Sequence, residues 1–214
     1  MPSSPPAPPP SPAPAPPVAA LVGQLRAELA ALGRDTAAHE PVAPAPVDEL
    51  ARRYGLPPVY RQLLLALGTQ GIGIAPGPFQ ELVLHPAPGL EAAQVGFRGP
   101  RPGDDGFVAP HGWRRNWVVI ATDAGDPYFL DVNKTNEGGE SPVYTAMHGT
   151  GTWEPILAAS SLEQFLRILC AWIRIVVAHH DPENPEEPLD EVHARRLRTE
   201  ITQIDPAVAD HWAI

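Results

Sequence analysis

Three aspartates, Asp123, Asp126 and Asp131, come closest in type and spacing to a metal site or an acid–base pair. A calcium loop needs several oxygen ligands at tight alternating spacing, ending in a carboxylate that binds through both oxygens. The segment 122–127 lacks that spacing. The alternative is that Asp123 and Asp126 shape a hairpin turn through side-chain-to-backbone hydrogen bonds, with Asp131 pointing outward from a strand. We therefore predict no metal and no cofactor.

Other polar motifs give no better case for catalysis. His148-Gly-Thr-Gly151 is too short for a phosphate loop, lacks a lysine and precedes a strand, so it predicts a hairpin turn. His179-His180 closes a helix, where a cationic ring suits the dipole, and this pair alone is poor evidence for a metal. Ser160 and Ser161 lie in no Gly-x-Ser-x-Gly elbow, and Cys170 sits in an apolar run that predicts a buried thiol. No residue set fills the roles of nucleophile, base and oxyanion donor, so we expect no enzyme.

The charge of the chain limits its partners. The formal net charge is −10, and from Asp181 onward nine carboxylates accompany three arginines. An acidic surface favours a basic protein partner and disfavours direct contact with nucleic acid or an anionic membrane. There is no apolar run of about 18 residues that would span a membrane. The start of the chain lacks the basic and apolar regions of a signal peptide, so we expect a cytoplasmic protein.

Composition divides the chain into four segments. Residues 1–17 contain ten prolines and no charge, so they are predicted to be disordered and dispensable for folding. Residues 18–40 hold a helix and a linker; the helix has an apolar stripe that includes Leu32 and ends near Gly33. Residues 41–180 form an α+β domain, and residues 181–214 an acidic helical extension.

Within the α+β domain, hydrophobic periodicity predicts a mainly antiparallel sheet of roughly four to six strands, with helices before and after it. Gly71–Pro78 and most of 86–115 read as loops. Ser160 and Glu163 form a capping box that starts the closing helix. Leu64, Phe129 and Phe165 are predicted to be buried where the helices meet the sheet. The predicted helices are 47–54, 56–67, a helix from Ser160 and 189–201, with a last turn capped by Asp205; the predicted strands are 80–85, 116–121, 128–132, 143–147 and 152–157.

Four motifs occur in the order typical of one protein family. Leu63-Leu64 and Leu67-Gly68 stand where that family usually has an aromatic pair and Asn-Gly. Together the motifs resemble the SUKH superfamily, which is built around a fungal cell-wall assembly regulator and many bacterial immunity proteins. The motifs are Leu56-Pro-Pro-Val-Tyr60, Val119–Asp131, Pro142-Val-Tyr144 with His148–Gly151, and Ala158–Leu166.

The resemblance implies an α+β fold and a role in binding other proteins. Many bacterial members are immunity proteins against secreted toxins, often nucleases, and an acidic chain suits a basic toxin domain. The alternative is a scaffold or regulator that docks cellular partners. The predicted partner-binding residues are acids in the loops that join strands, where a rigid sheet would present them. They are Asp123, Asp126, Glu137 and Glu140, and reversing the last two to lysine is expected to slow association with the toxin.

Overall fold

The computed structural model describes residues 18–34, 40–78, 80–97, 112–149, 152–181, 184 and 188–212. In these ranges, six α-helices accompany a six-stranded antiparallel sheet whose strands follow one another in chain order. The α+β class and the upper end of the predicted strand count are confirmed. None of the described helices has the length and apolarity to cross a membrane. The predicted disorder of residues 1–17 concerns residues outside the described ranges.

Three helices precede the sheet, and their apolar stripes match the predicted periodicity. Gly55 ends the second helix with φ 66°, a left-handed conformation that glycine adopts without strain. Leu32 was predicted to belong to the buried stripe of the first helix, which is wrong. It is 37% exposed because the helix ends at Ala31 and Leu32 belongs to the turn that follows. The helices are α1 (Val18–Ala31), α2 (Pro44–Tyr54) and α3 (Pro58–Leu67).

The sheet begins one strand earlier than the sequence predicts. The segment Gly71–Pro78, predicted to be a loop, contains a short strand with Ile72 and Ile74 buried and Gly73 exposed. Glycine before this strand, and proline and glycine after it, hid a pattern of only three residues. The strands are β1 (Ile72–Ile74), β2 (Leu82–Leu84), β3 (Trp117–Asp123), β4 (Asp126–Asp131), β5 (Val143–Thr145) and β6 (Ile156–Ala159).

The central hairpin β3–β4 is confirmed, and it sets the register of the sheet. Trp117 pairs with Asp131 at one end and Asp123 with Asp126 at the other, with an irregularity between Val119 and Ala121. The two turn residues have positive φ, 51° at Ala124 and 91° at Gly125. Two such residues give the tight turn whose twist matches that of the strands.

One face of the sheet carries the helices and most of the core. Leu64 and Phe165 lie in that core, fully buried, as predicted. Phe129 is also fully buried, but it lies in a separate cluster with Trp117 and Val119. Neighbouring residues of a strand point to opposite faces, and Tyr128 and Leu130 on either side of Phe129 belong to the main core. The prediction that Phe129 meets the helices is therefore wrong.

The closing helices follow β6. Ser161, and not Ser160, caps the helix after β6, because its hydroxyl accepts a hydrogen bond from the Gln164 N–H at 3.1 Å. The predicted N-cap is thus shifted by one residue, and the Gln164 side chain donates to the carbonyl oxygen of Ile204 at 3.1 Å. A single π-helical turn, Ile173–Val177, extends this helix. The remaining elements are the short helix α4 (Leu90–Ala93), α5 (Leu162–Trp172), α6 (Glu191–Ile204) and a final 3-10 turn (Pro206–Val208).

Helices α1 and α6 complete the core of the α+β domain. Val22 and Leu25 of α1, and Leu197 and Ile201 of α6, are buried in the same cluster as α3 and α5. Arg174, in the π turn after α5, forms ion pairs with Glu28 of α1 and Glu200 of α6. The segments that flank the four sequence motifs therefore share one core with them.

Candidate protein-binding surface

Asp123, the last residue of β3, is fully buried. Its Oδ1 accepts a hydrogen bond from the backbone N–H of Gln80 at 2.9 Å, which ties the turn after β1 to the central hairpin. The fit is close, since a side chain at Gly77 would place its Cβ 2.8 Å from Asp123 Oδ2. Asp123 thus behaves as the turn-shaping alternative expects. The outward orientation expected for Asp131 is wrong, because Asp131 is 3% exposed and accepts a hydrogen bond from Asn133 N at 3.2 Å.

Asp126, the first residue of β4, forms the matching tie on the other side. It is 4% exposed, and its Oδ1 accepts hydrogen bonds from His148 N at 2.7 Å and from His148 Nδ1 at 2.6 Å. The bond fixes the turn after β5, which the sequence predicted around His148. The carboxylates of both aspartates accept hydrogen bonds that attach neighbouring turns to the central hairpin.

Glu137 and Glu140 lie in the loop before β5. Glu140 is half-buried and accepts a hydrogen bond from Leu162 N at 3.1 Å, at the start of α5. Burial raises the pKa of Glu140, and the hydrogen bonds from the N–H groups of Leu162 and Glu163 partly oppose that rise. Glu137 is exposed. Among the four predicted contact residues, Glu137 is the one with an exposed side chain.

The structure does not bring the four acids together. Asp123 and Asp126 occupy the turn end of the β3–β4 hairpin, whereas the loop with Glu137 and Glu140 follows the opposite end of β4. The five steps from Asp126 to Asp131 separate these ends by about 17 Å. The sequence could not show this, because only the strand pairing determines which loops share an end. Their role as partner contacts stays a prediction.

An aromatic surface covers the face of the sheet away from the helices. We call it the aromatic face and define it by Trp117, Phe129 and Tyr144 on β3–β5 and by Phe97, Trp113 and Trp153 above them. Ring centroids of Trp117 and Phe129 are 4.6 Å apart, and those of Phe129 and Tyr144 are 5.9 Å apart. Trp113 lies over Phe129 at 5.0 Å and contacts Phe97 and Trp153 at 5.1 and 5.7 Å.

Exposure divides the aromatic face into a base and a surface. Trp113, Trp117 and Phe129 are buried and form the base, while Phe97, Tyr144 and Trp153 are partly exposed and pack against it. The guanidinium of Arg114 lies 5.2 Å from the Trp117 ring, and Lys134 Nζ lies 4.8 Å from the Tyr144 ring and donates to its hydroxyl. Aromatic side chains and arginine are the residue types enriched in protein interfaces.

Gln94 holds the covering segment against the sheet. Its side chain is buried; Oε1 accepts from Val119 N, and Nε2 donates to Val119 O, each at 2.9 Å. The last described bond between β2 and β3 runs from His85 N to Ile120 O. The Gln94 amide therefore takes the place of a neighbouring strand where β2 has ended.

Replacing Gln94 with methionine is expected to lower the free energy of unfolding by about 2–4 kcal/mol, since two buried backbone groups lose their partners. Urea unfolding would measure the change. Gln62→Met, at an exposed site on α3, is the matched control and is expected to stay within about 0.5 kcal/mol. Equal stability of the two variants would contradict the role assigned to Gln94.

This surface was not predicted from the sequence, because tryptophans are core residues by default. A signal was present: Trp117–Ala121 is a continuous apolar run, whereas a strand with one solvent face alternates. All five of these residues are buried, which requires cover on both faces of β3. This apolar run could have predicted that both faces of β3 are covered, without showing which residues cover the second face.

The serine and the cysteine that could have served as nucleophiles have structural roles. Ser160 donates through its N–H and its hydroxyl to Asp205, at 2.6 and 3.0 Å. Cys170 is buried as predicted, and burial, with a smaller contribution from Glu28, raises the pKa of its thiol to about 12. A thiol with that pKa is a poor nucleophile at neutral pH. In the described ranges, no three His, Cys, Asp or Glu residues group as metal ligands.

Comparison with known families places the domain. Residues 41–168 match the model of the SMI1 / KNR4 family (SUKH-1), a range that runs from just before α2 into α5 and includes all six strands. No curated protein matches the chain. The match covers more than half of the 214 residues and agrees with the four motifs found in the sequence. The chain therefore belongs to the SMI1 / KNR4 family (SUKH-1).

Proposed function

We propose that this protein is a non-catalytic immunity protein of the cytoplasm that neutralises a cognate toxin by stoichiometric binding. The aromatic face carries the proposal. Its partly exposed rings rest on a packed base, so that binding a partner would order few additional side chains. Large aromatic side chains on a rigid support are frequent sources of binding energy in protein interfaces.

The negative net charge of the chain favours a basic partner. The net charge of −10 creates a field that attracts a cationic toxin domain from a distance and raises the association rate. Short-range contacts then determine how long the complex lasts. The acids and the aromatic face thus have separate roles, the first in encounter and the second in retention.

We expect the gene of the cognate toxin to lie beside this one, and a titration of that toxin tests the proposal. Toxin activity should fall linearly with added protein and end at one equivalent, because a binding inhibitor is consumed one for one. A catalytic antidote would instead inactivate many equivalents over time. Toxin activity unchanged by an excess of the protein would contradict the immunity function.

Charge reversal at Glu137 tests the role of the acids. Glu137→Lys is expected to slow association with the toxin several-fold at low salt, and added salt should reduce the difference. Glu40→Lys is the matched control, since it changes the net charge equally at another exposed site. Stopped-flow association rates would measure both variants. Equal rates would place the contact region away from the loop before β5.

Glu140 is unsuited to the same test. Lysine at this position would remove the acceptor of the Leu162 N–H. It would also place a positive charge at the start of α5, where the positive end of the helix dipole disfavours cations. The double reversal expected from the sequence would therefore change stability together with binding. Glu137→Lys alone separates the two effects.

The second candidate function is a scaffold or regulator that docks cellular partners. The ten prolines among the first 17 residues favour it, because extended proline-rich segments are ligands for aromatic-lined grooves of other proteins. Removal of residues 1–17 separates the two functions. An immunity protein should still neutralise its toxin, whereas a scaffold of this type should lose the partners bound by the tail.

A further inference from the structure

The open end of the β3–β4 hairpin brings two cations together. Trp117 pairs with Asp131 in the register of this hairpin. Arg114 precedes Trp117 by three residues, in the turn before β3, and Lys134 follows Asp131 by three residues, at the end of a 3-10 turn (Val132–Lys134). Both side chains are exposed. Two residues that are 20 positions apart in the sequence therefore lie at the same end of the sheet.

Aromatic rings hold both cations in place. The guanidinium carbon of Arg114 lies 5.2 Å from the centroid of the Trp117 ring, and Lys134 Nζ lies 4.8 Å from that of the Tyr144 ring. Lys134 Nζ also donates to the Tyr144 hydroxyl at 2.8 Å. Cation–π contacts attract a positive charge to the ring without neutralising it. The two charges are thus positioned at the margin of the aromatic face.

No carboxylate of the described chain forms an ion pair with Arg114 or Lys134. Asp131 lies near Lys134, but it is buried and its Oδ1 accepts hydrogen bonds from Asn116 and Asn133. Within the described ranges, two exposed cations of an acidic chain are therefore left without an anionic partner.

The two positive charges also affect each other. The hydrogen bond to Tyr144 raises the pKa of Lys134, and the positive charge of Arg114 opposes that rise. A carboxylate between the two cations would relieve this repulsion and accept charge-assisted hydrogen bonds from both. Arginine presents a fork of N–H donors and lysine presents three donors, so both oxygens of one carboxylate would be bound.

We propose that the aromatic face recognises a toxin segment that carries an aspartate or glutamate side chain next to an apolar one. The carboxylate binds Arg114 and Lys134, and the apolar side chain packs on the partly exposed ring of Tyr144. This inference rests on the proposed function, because it names the type of residue that the toxin presents at the aromatic face.

A basic toxin and a local acidic contact are compatible. Net charge acts over about a Debye length and governs the encounter of the two proteins. Contacts within the interface depend instead on which groups lie opposite each other. A carboxylate opposite Arg114 and Lys134 would fix the register of the complex, and basic proteins that lack it would leave both cations unpaired.

Titration of two short peptides into the full-length chain tests the site without the toxin. The probes are acetyl-Leu-Glu-Leu-Glu-amide and its matched control acetyl-Leu-Gln-Leu-Gln-amide, at about 0.15 M salt to screen the net charge of the chain. The readout is the chemical shift of the Trp117 indole N–H in nuclear magnetic resonance spectra. The acidic peptide is expected to bind about fivefold more tightly, the gain from two exposed ion pairs.

Glutamine variants assign the preference to the two cations. Arg114→Gln together with Lys134→Gln should abolish the difference between the peptides. Arg196→Gln together with Arg198→Gln is the matched control, since it removes two exposed charges on α6, away from the aromatic face, and should retain the difference.

The cognate toxin gives a second test, in which net charge and local contact predict opposite results. Arg114→Glu together with Lys134→Glu makes the chain more negative, so the field alone would strengthen binding of a basic toxin. The proposed contact instead predicts a Kd raised by about tenfold or more, because the toxin carboxylate would meet two like charges. Circular dichroism checks that the variant retains its fold.

The inference is overturned if the wild-type chain binds both peptides equally, or if the preference persists without the two cations. It is also overturned if the charge-reversal variant binds the toxin as tightly as the wild type, a result that leaves the immunity function standing. Preference for the acidic peptide at Arg114 and Lys134, in a chain that leaves the toxin active, would support the carboxylate site and contradict the immunity function.

Discussion

Replacing Trp212 with alanine is expected to lower the free energy of unfolding by about 3–5 kcal/mol. The indole is 3% exposed, lies 5.7 Å from Trp172 and 6.2 Å from both Tyr128 and Phe165, and donates from Nε1 to the carbonyl oxygen of Ala158 at 2.8 Å. Its loss would leave a cavity between α5 and the sheet and an unpaired carbonyl on β6. Urea unfolding followed by circular dichroism would measure the change.

Val192→Ala on α6 is the control for this substitution. Val192 is 71% exposed, so its truncation is expected to change stability by less than about 0.5 kcal/mol. A Trp212→Ala variant as stable as Val192→Ala would show that the C-terminal segment contributes little to the core. The expected result would instead make residues 188–212 part of the domain, beyond the range that the family model matches.

Binding of the cognate toxin is expected to weaken by about thirtyfold or more when Trp153 is replaced with alanine, as for a central aromatic contact. Trp153 is partly exposed and lies 5.2 Å from Phe97 and 5.7 Å from Trp113. The loss should appear mainly in the dissociation rate, because short-range packing determines the lifetime of a complex. Surface plasmon resonance would separate the two rates.

Leu32→Ala tests whether such a loss is specific to the aromatic face. Leu32 is an exposed apolar residue that follows α1, outside the aromatic face, so toxin binding should be unchanged. Circular dichroism of each variant checks that the fold is retained. Normal binding by Trp153→Ala together with weak binding by Leu32→Ala would move the interface to the helical layer.

Local periodicity predicted most of the fold. The helix predicted over 56–67 is found as α3 with Leu64 buried as expected, and the strands predicted over 116–121 and 128–132 pair as the β3–β4 hairpin. These features depend on spacing within one helix or between adjacent strands. The sequence failed where the signal was short or shifted by one residue, as at β1 and at the Ser161 cap.

The candidate surface depended on long-range packing. The sequence identified acids in loops, but strand pairing turned Asp123 and Asp126 inward to hold turns and placed Glu137 at the other end of the sheet. Phe97 and Trp153 are 56 positions apart and meet only because the chain returns through β3, β4 and β5 before it reaches Trp153.

Composition thus determined the acidic character and periodicity the α+β class, while the resemblance of four motifs indicated the family; each is carried by residue types and by local spacing. Tertiary structure alone decided which polar groups are buried and which aromatic rings form a surface. Those properties depend on contacts between residues far apart in the chain, and a linear pattern contains no distance between such residues.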